Sequence, residues 1–268
     1  MMPAKNVNYS MAAVFSVAVL SAVTLVCAAF LMLGVVIPNW FVIVARWIPA
    51  LVAAAVLFAF HQRGLVAWFR LRTPWRNAVT RILVAVCALL LASGVGAGIA
   101  MLAGVGKPQS GTFYLQATLL VIPYALMFSL STLGEEAAWR GFFHSCLSNL
   151  GFWSFASAIS GLWVIWHIPL HAAMAVQGTL PAHAAMSSTL TLFPLGLFLS
   201  AVSPRYGSAW PAVAAHAVPL SALNFIAFPA GPGPADHWVI AAATCVALLL
   251  AALILAPKTA TRSVRPGV

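Results

Sequence analysis

The sequence predicts an all-α, polytopic membrane protein, a helical bundle of about eight transmembrane helices. Of its 268 residues, 63% are hydrophobic and only 6% are charged. The mean hydropathy of +1.02 lies far above that of soluble globular domains. Several apolar stretches exceed the roughly 20 residues that a helix needs to cross about 30 Å of hydrocarbon. The alternating polar and apolar pattern of a transmembrane barrel is missing from the sequence, so helices are the expected spanning elements.

The apolar stretches predict eight spans with soft ends, at residues 12–36, 40–60, 80–103, 113–147, 152–172, 184–203, 208–228 and 238–256. The fourth is too long for one simple crossing. Residues 134–147 are therefore either a tilted continuation of that helix or a second, partly interfacial helix. The first apolar run is longer than the roughly 7–15 residue core of a cleaved signal peptide, so we expect a retained helix there.

Basic residues lie almost entirely on one side of this eight-span arrangement, and they give a net charge of +10. Ten of the thirteen fall before the first span, in or beside the second connection, in the sixth connection, or in the tail: Lys5, Arg63, Arg70, Arg72, Arg76, Arg81, Arg205, Lys258, Arg262 and Arg265. Lys107 falls on the other side. The positive-inside rule then predicts cytoplasmic termini in a plasma (inner) membrane protein. The excess of basic over acidic residues indicates membrane topology and contact with anionic lipid, not binding of nucleic acid.

The four cysteines give no sign of disulfides or metal binding. Cys27, Cys87, Cys146 and Cys245 each lie within an apolar span, and no two have CxxC spacing. We interpret them as small buried hydrophobic residues.

Two of the three acidic residues stand side by side in "GEEAAWRGFFHSC", residues 134–146. Glu136 and Arg140 are spaced i,i+4 with the acid first, the better orientation for a helical ion pair. Glu135 points about 100° away around the helix and cannot share that arginine equally well. Two adjacent carboxylates, one paired with arginine and one not, are expected to have different pKa values, as is typical of sites where one carboxyl group transfers protons. We predict Glu135 as a general base; the alternative is a structural ion cluster that locks two helices.

Two histidines are further candidates within the spans. In "SGLWVIWHIP", Trp163 and His167 are i,i+4 neighbours, so the indole can shield the imidazole from lipid. His216 lies about two turns into the seventh span, and Pro219 should loosen the helix after it. Counted along the helices at 1.5 Å per residue, both histidines and Glu135 reach membrane depth. Alone, each histidine would be read as a helix–helix hydrogen-bonding residue.

Arg46 is the other charged residue inside a span. It comes about six residues into its helix, within reach of the outer interface by snorkelling. We therefore expect a structural role for Arg46.

These motifs, in this order, resemble the CPBP family of intramembrane endopeptidases (CAAX protease and bacteriocin-processing, also called Abi), which are relatives of the type II CAAX prenyl endopeptidase. "GEEAAWRGFF" matches EExxxRG without a gap, and Trp163 to His167 matches FxxxH with tryptophan for phenylalanine. The resemblance covers about residues 134–225. Spans one to three and eight match only in number.

The resemblance implies peptide hydrolysis within the membrane. Glu135 would activate water with the assistance of His167, while Glu136 and Arg140 hold the helix in place. His216 would help to bind the oxyanion that forms when water attacks a peptide carbonyl.

The resemblance also implies the organisation of the chain and its partners. Residues 1–268 form a single membrane domain, and residues 113–228 are its catalytic core helices. The expected partners are the lipid bilayer and a peptide or lipidated protein substrate, such as a prenylated CaaX-like peptide cut near its C-terminus.

The third motif of the family opens with a histidine, which His216 matches, and usually has an asparagine three or four residues later. This sequence departs from that pattern. Pro219 and Leu220 occupy those positions here. Asn224 can replace the missing donor only if Pro219 reshapes the turn, and Ser221 is a weaker substitute.

No cofactor is expected. The sequence has no HExxH, and the helical pair His167/His171 carries no glutamate between its members. A zinc site made of Glu135, His167 and His216 is the alternative.

Two other function classes stay open. A proton-coupled transporter would use Glu135 and the histidines as a relay, although the paired interrupted spans typical of such carriers are not visible in the sequence. A catalytically weak relative would act as an interaction or bacteriocin-immunity protein, and the missing asparagine supports that reading.

Overall fold

Eleven α-helices make up nearly all of the regular structure in the computed structural model, which describes residues 4–73 and 75–257. They are α1 (Ala4–Met32), α2 (Asn39–Ala45), α3 (Ile48–Ala59), α4 (Leu65–Trp68), α5 (Trp75–Leu102), α6 (Gly111–Glu136), α7 (His144–Cys146), α8 (Phe152–Val176), α9 (Ala182–Tyr206), α10 (Trp210–His216) and α11 (Pro234–Leu255). The predicted all-α membrane bundle is confirmed. Lys258, Arg262 and Arg265, predicted to lie in a cytoplasmic tail, fall outside the described residues.

The described residues contain seven helical stretches long and apolar enough to cross a membrane: Asn8–Met32, Asn39–Ala59, Ala78–Leu102, Gly111–Cys146, Phe152–Val176, Ala182–Ser203 and Pro234–Leu255. These correspond to seven of the eight predicted spans. The predicted span 208–228 has no counterpart among these seven stretches.

The segment 208–228 crosses the bundle without being helical throughout, which corrects the sequence prediction. Helix α10 ends at His216, because Pro219 cannot donate to the helix and disfavours helical geometry in the residue before it. A 3-10 helix (Ala222–Phe225) and the two-residue strand β2 (Ile226–Ala227) follow, and β2 pairs antiparallel with β1 (Lys107–Pro108).

The two ends of this segment show that it runs the length of α5. The Ala209 amide donates to the Arg70 carbonyl at 3.0 Å, just before α5 begins, whereas Ile226 pairs with Pro108 after α5 ends. Irregular backbone at membrane depth is tolerated only where protein surrounds it or where it lines a cavity. Here the 3-10 helix of the irregular part packs against α5 and α11, which meets that condition.

The predicted second span is broken into α2 and α3. The break falls at Arg46 and Trp47, where Pro49 in the first turn of α3 cannot donate a backbone hydrogen bond to the preceding turn. The bent backbone packs on α6: the Trp47 Nε1 donates to the Leu130 carbonyl at 3.1 Å, and the Ser131 hydroxyl donates to the Ile43 carbonyl at 2.8 Å.

The long fourth span is one continuous helix, so residues 134–147 continue that helix and do not form a separate one. Its α6 portion passes into a π-helix over Ala137–Phe143 and then into α7. π-Helical insertions are uncommon and occur frequently at functional sites. Every residue of this π-helix is buried, and the aromatic rings of Trp139 and Phe142 both pack on Phe15 of α1 with centroids 5.2 Å apart.

Gly141 allows the connection before α5 to reach the π-helix. A Cβ at this position would lie 2.6 Å from the carbonyl carbon of Phe69, a backbone atom that cannot move aside alone. The glycine that follows the arginine in the EExxxRG motif is therefore required by packing.

We expect Gly141→Ala to lower the free energy of unfolding by about 1–3 kcal/mol, because the added methyl overpacks the π-helix against backbone. Thermal or denaturant unfolding of the purified protein in detergent measures this change. Gly94→Ala is the matched control, because no atom lies within 4 Å of a Cβ built there in α5. Equal stability of the two variants would contradict the packing role of Gly141.

Candidate active site

One cavity of about 220 Å³ brings together the three residues predicted to carry the chemistry. Glu135 at the end of α6, His167 in α8 and His216 at the end of α10 all line it. Apolar residues of α1 to α3, α8 and α9 form most of the remaining wall: Val23, Val26, Cys27, Phe41, Val42, Ala45, Ile48, Leu170 and Leu192. The arrangement is a small polar cluster at one part of a largely apolar chamber, as is typical of ligand sites.

The two carboxylate oxygens of Glu135 have different surroundings, and the residue is fully buried. Its Oε2 accepts a hydrogen bond from the Trp163 Nε1 at 2.7 Å. Its Oε1 lies 3.2 Å from the Nε of Arg46, but this ion pair lacks hydrogen-bond geometry. Within the described residues, Oε1 therefore has no hydrogen-bond donor and is the oxygen that can accept a proton from a water molecule.

Glu136 has a different task from Glu135: it holds the side chains of Arg140 and His216 in place. The predicted ion pair with Arg140 is present at 3.2 Å, and both side chains are fully buried. The same carboxylate accepts a hydrogen bond from His216 Nδ1 at 2.8 Å. Arg140 also donates to the Gly196 carbonyl at 3.3 Å, and its guanidinium carbon lies 4.6 Å from the centre of the Trp163 ring.

Hydrogen bonds at Nδ1 determine which nitrogen of each cavity histidine remains available. The His167 Nδ1 lies 2.9 Å from the Trp163 carbonyl, and because a carbonyl only accepts, Nδ1 must carry the proton. The Nε2 of His167 is then free to accept one. For His216, Nδ1 is engaged by Glu136, so Nε2 is again the nitrogen left for a substrate.

Trp163 contacts both histidines, and its i,i+4 spacing predicts the contact with His167. Its ring packs edge-on against His167 and His216, with centroids 5.1 Å and 5.3 Å apart. The helical i,i+4 spacing accounts for the first contact; the second arises only because α10 lies beside α8. One indole therefore positions both imidazoles and also donates to Glu135.

The connection between α4 and α5 contacts one end of each of two site elements. The Arg70 guanidinium contacts His144 and lies 3.5 Å from the Arg140 carbonyl, and burial lowers the pKa of Arg70 to about 10. The next carbonyl, that of Leu71, accepts from the Trp210 Nε1 at 2.9 Å. This connection thus links the π-helix to the start of α10, the helix that carries His216.

The structure corrects the expected position of Arg46. Instead of snorkelling to the interface, its side chain lines the cavity, is 28% exposed and pairs with Glu135. Sequence reasoning missed it as a site residue because the contact joins positions 89 residues apart across a broken helix. The available signal was the presence of an arginine inside an apolar span.

Asn224 is not placed at the site. It is exposed, it does not line the cavity, and its side-chain oxygen accepts from the backbone and hydroxyl of Ser221 at 2.7 Å and 2.9 Å. Asn224 caps the 3-10 helix, so its position does not support the role of replacement oxyanion donor.

The cavity side chains that could bind a metal ion are engaged by other residues. Glu135 is engaged by Arg46 and Trp163, and His216 by Glu136. Over residues 4–73 and 75–257, no group of three histidine, cysteine or acidic side chains is arranged to hold a metal ion. We therefore derive no step through zinc.

A comparison with curated proteins gives no significant match. Residues 116–219 match a family model described as type II CAAX prenyl endopeptidase Rce1-like. The matched range contains Glu135, His167 and His216 and excludes Arg46 and Asn224. This match implies a protease, and it confirms the relationship that the EExxxRG and WxxxH motifs predicted: the chain is related to the CPBP family of intramembrane CAAX-type proteases.

Proposed function

We propose that this protein is a glutamate-type intramembrane endopeptidase in which Glu135 activates the attacking water. The observation that carries the proposal is the convergence of Glu135, His167 and His216 on one cavity from three separate elements. Glu135 also has one oxygen held by Trp163 and one without a hydrogen-bond donor in the described chain. A general base needs such an available oxygen within hydrogen-bond reach of the proton that it removes.

The reaction begins with a water molecule between Oε1 of Glu135 and the carbonyl carbon of the bound peptide. Oε1 takes one proton, the water oxygen bonds to the carbon, and the carbonyl electron pair moves to oxygen. The tetrahedral intermediate then collapses, the C–N bond breaks, and the proton held by Glu135 passes to the leaving amine. One water is consumed, and a carboxylic acid and an amine are released.

The two histidines have complementary roles in this scheme. His167, with Nδ1 fixed on the Trp163 carbonyl, presents Nε2 as the acceptor that assists Glu135 in orienting water. His216 donates from Nδ1 to Glu136, and it can also donate from Nε2 to the oxyanion when it is the imidazolium, with a proton on both ring nitrogens. Glu136 and Arg140 hold this geometry and do not touch the substrate.

The proposed substrate is a lipidated or membrane-inserted peptide, cut near its C-terminus. The apolar wall of the cavity, built mainly from α1, α2, α8 and α9, suits an apolar side chain or the start of a lipid chain. We place the protein in the plasma (inner) membrane with cytoplasmic termini, because its basic residues cluster on the connections of that side.

Replacement of the base should abolish cleavage while the protein stays folded. We expect Glu135→Gln to lower kcat for a quenched, farnesylated CaaX peptide by about 10²-fold or more, since a positioned general base contributes about 10²–10⁴-fold. Asp236→Asn makes the same carboxylate-to-amide change on the third acidic residue, which caps α11 at Gly233, and should cleave normally. A chelator should leave wild-type activity unchanged; loss of activity with chelator would favour the zinc alternative.

Cleavage by Glu135→Gln at the wild-type rate would refute the proposed mechanism. If the wild type cleaves no farnesylated, unmodified or membrane-inserted peptide, the result would favour the alternative that this protein is a catalytically weak relative with an interaction or bacteriocin-immunity role.

Glu136 should matter first for stability. Glu136→Gln leaves the buried Arg140 without its carboxylate, and breaking a buried ion pair typically costs about 3–5 kcal/mol. We expect a clearly lower unfolding temperature than for Glu135→Gln, whose partner Arg46 is partly exposed. Equal unfolding temperatures of the two variants in the same detergent would contradict the division of tasks between the adjacent acids.

The histidine roles are tested by single replacements. We expect His167→Ala and His216→Ala each to lower kcat by about 10²-fold, the range for acid–base or oxyanion groups. His183→Ala is the control, because His183 packs on His237 and does not line the cavity. An unchanged kcat in either cavity variant would remove that histidine from the mechanism.

A further inference from the structure

Arg46 is the only arginine or lysine among the described residues that line the cavity. Its Nε lies 3.2 Å from Oε1 of Glu135, the oxygen assigned to the proton transfer. Because the two groups do not form a hydrogen bond, the guanidinium donors are not committed to Glu135. Arginine carries five N–H donors in a planar fork, so several remain for another acceptor in the cavity.

The backbone of Arg46 is held in place by the same motif that supplies the base. A Cβ on Gly134 would lie 2.7 Å from the Arg46 carbonyl oxygen and 2.8 Å from the Trp47 Cα. The break between α2 and α3 can therefore approach α6 only because residue 134 is a glycine. This close approach brings the arginine side chain beside Glu135.

We propose that Arg46 is a catalytic residue that binds the oxyanion of the tetrahedral intermediate, an inference that rests on the proposed function. An oxyanion donor must reach a carbonyl oxygen that lies about 3 Å from the attacking water. A carbonyl attacked by a water on Oε1 of Glu135 lies within that reach of the neighbouring guanidinium. Asn224, the donor expected from the sequence, is outside the cavity.

The charges also balance during the reaction. Before attack, Arg46 faces an ionised Glu135 and a neutral peptide. After attack, Glu135 holds the water proton and is neutral, and the carbonyl oxygen carries the negative charge. Arg46 therefore faces one negative charge in both states and needs to shift only from Oε1 to the neighbouring oxyanion. A positive charge already beside the developing negative charge in a water-poor site stabilises it far more than the same charge would in water.

The first test compares steady-state kinetics of Arg46→Gln, Arg46→Lys and Glu135→Gln on the same quenched peptide. We expect Arg46→Gln to lower kcat by about 10²–10³-fold, the loss seen when one oxyanion donor is removed, with KM changed by less than about threefold. Arg46→Lys keeps the charge and should retain an intermediate kcat. Arg63→Gln is the matched control, because Arg63 is exposed in a connection and does not line the cavity.

Two further measurements separate an oxyanion donor from a structural residue. Guanidinium ion added to Arg46→Ala should restore part of the lost kcat, whereas urea should not. After the cleaved bond has been identified from the products, a phosphinate placed at that bond provides an anionic analogue of the intermediate. Arg46→Gln should weaken phosphinate binding by about 10²-fold but leave binding of a neutral hydroxyethylene analogue unchanged.

The outcomes distinguish this inference from the proposed function. Normal kcat in Arg46→Gln together with an inactive Glu135→Gln would overturn the role of Arg46 alone. Equal weakening of the charged and neutral analogues would also overturn it, because it would indicate a structural role. A wild type that cleaves no peptide, or a Glu135→Gln variant that cleaves normally, would refute the proposed function and with it the role of Arg46.

Discussion

The ion pair between Glu136 and Arg140 is the contact on which the geometry of the site depends. Both side chains are fully buried, and removing one partner of such a pair leaves a charge whose desolvation nothing compensates. Both partners also contact other elements. Arg140 reaches the carbonyl of Gly196 in α9 and the Trp163 ring in α8, and Glu136 accepts from His216 in α10. One local pair on the fourth span thus positions three neighbouring helices.

Close packing makes this network possible. Gly196 lies so near α8 that a Cβ there would be 2.6 Å from the Ser160 hydroxyl oxygen. Gly134 and Gly141 admit the backbones around Arg46 and Phe69 in the same way. Small residues at helix contacts allow close approach in membrane proteins, where apolar burial alone does not drive helices together. Gly134 and Gly141 lie on either side of the EExxxR residues, and each packs directly against backbone. The charged side chains between them therefore have little freedom to rearrange.

The sequence predicts the local contacts of the site well and the distant ones poorly. The pairs Glu136–Arg140 and Trp163–His167 follow from i,i+4 spacing on a single helix, and both are present. The contact between Arg46 and Glu135 depends on how two spans pack, and no periodic pattern encodes it.

The same distinction applies to the fold. Hydropathy indicates that residues 208–228 can lie in an apolar environment, and they do cross the bundle, but it does not indicate where their helix stops. Pro219 was recognised as a weak point, yet a proline inside a span can be tolerated when neighbours satisfy the freed carbonyls, as at Pro169 in α8. Beyond Pro219 the chain instead finds partners in the Ser221–Asn224 cap and in the β1–β2 pairing. The β1–β2 pairing joins residues that are distant in sequence, and the Ser221–Asn224 cap competes with a continued helix. Neither can be predicted from hydropathy.

The pairing of charges also bears on the choice between a hydrolase and a proton carrier. Each buried carboxylate faces one arginine, so the charges of these two pairs cancel. A carrier that protonates Glu135 and moves the proton away leaves Arg46 without a counter-charge at membrane depth in every cycle, which is costly in a low dielectric. In hydrolysis the negative charge moves only from Oε1 of Glu135 to a peptide oxygen beside it, and Arg46 keeps a partner throughout. The arrangement therefore favours a reaction in which charge is displaced within the cavity over one in which charge is carried through it.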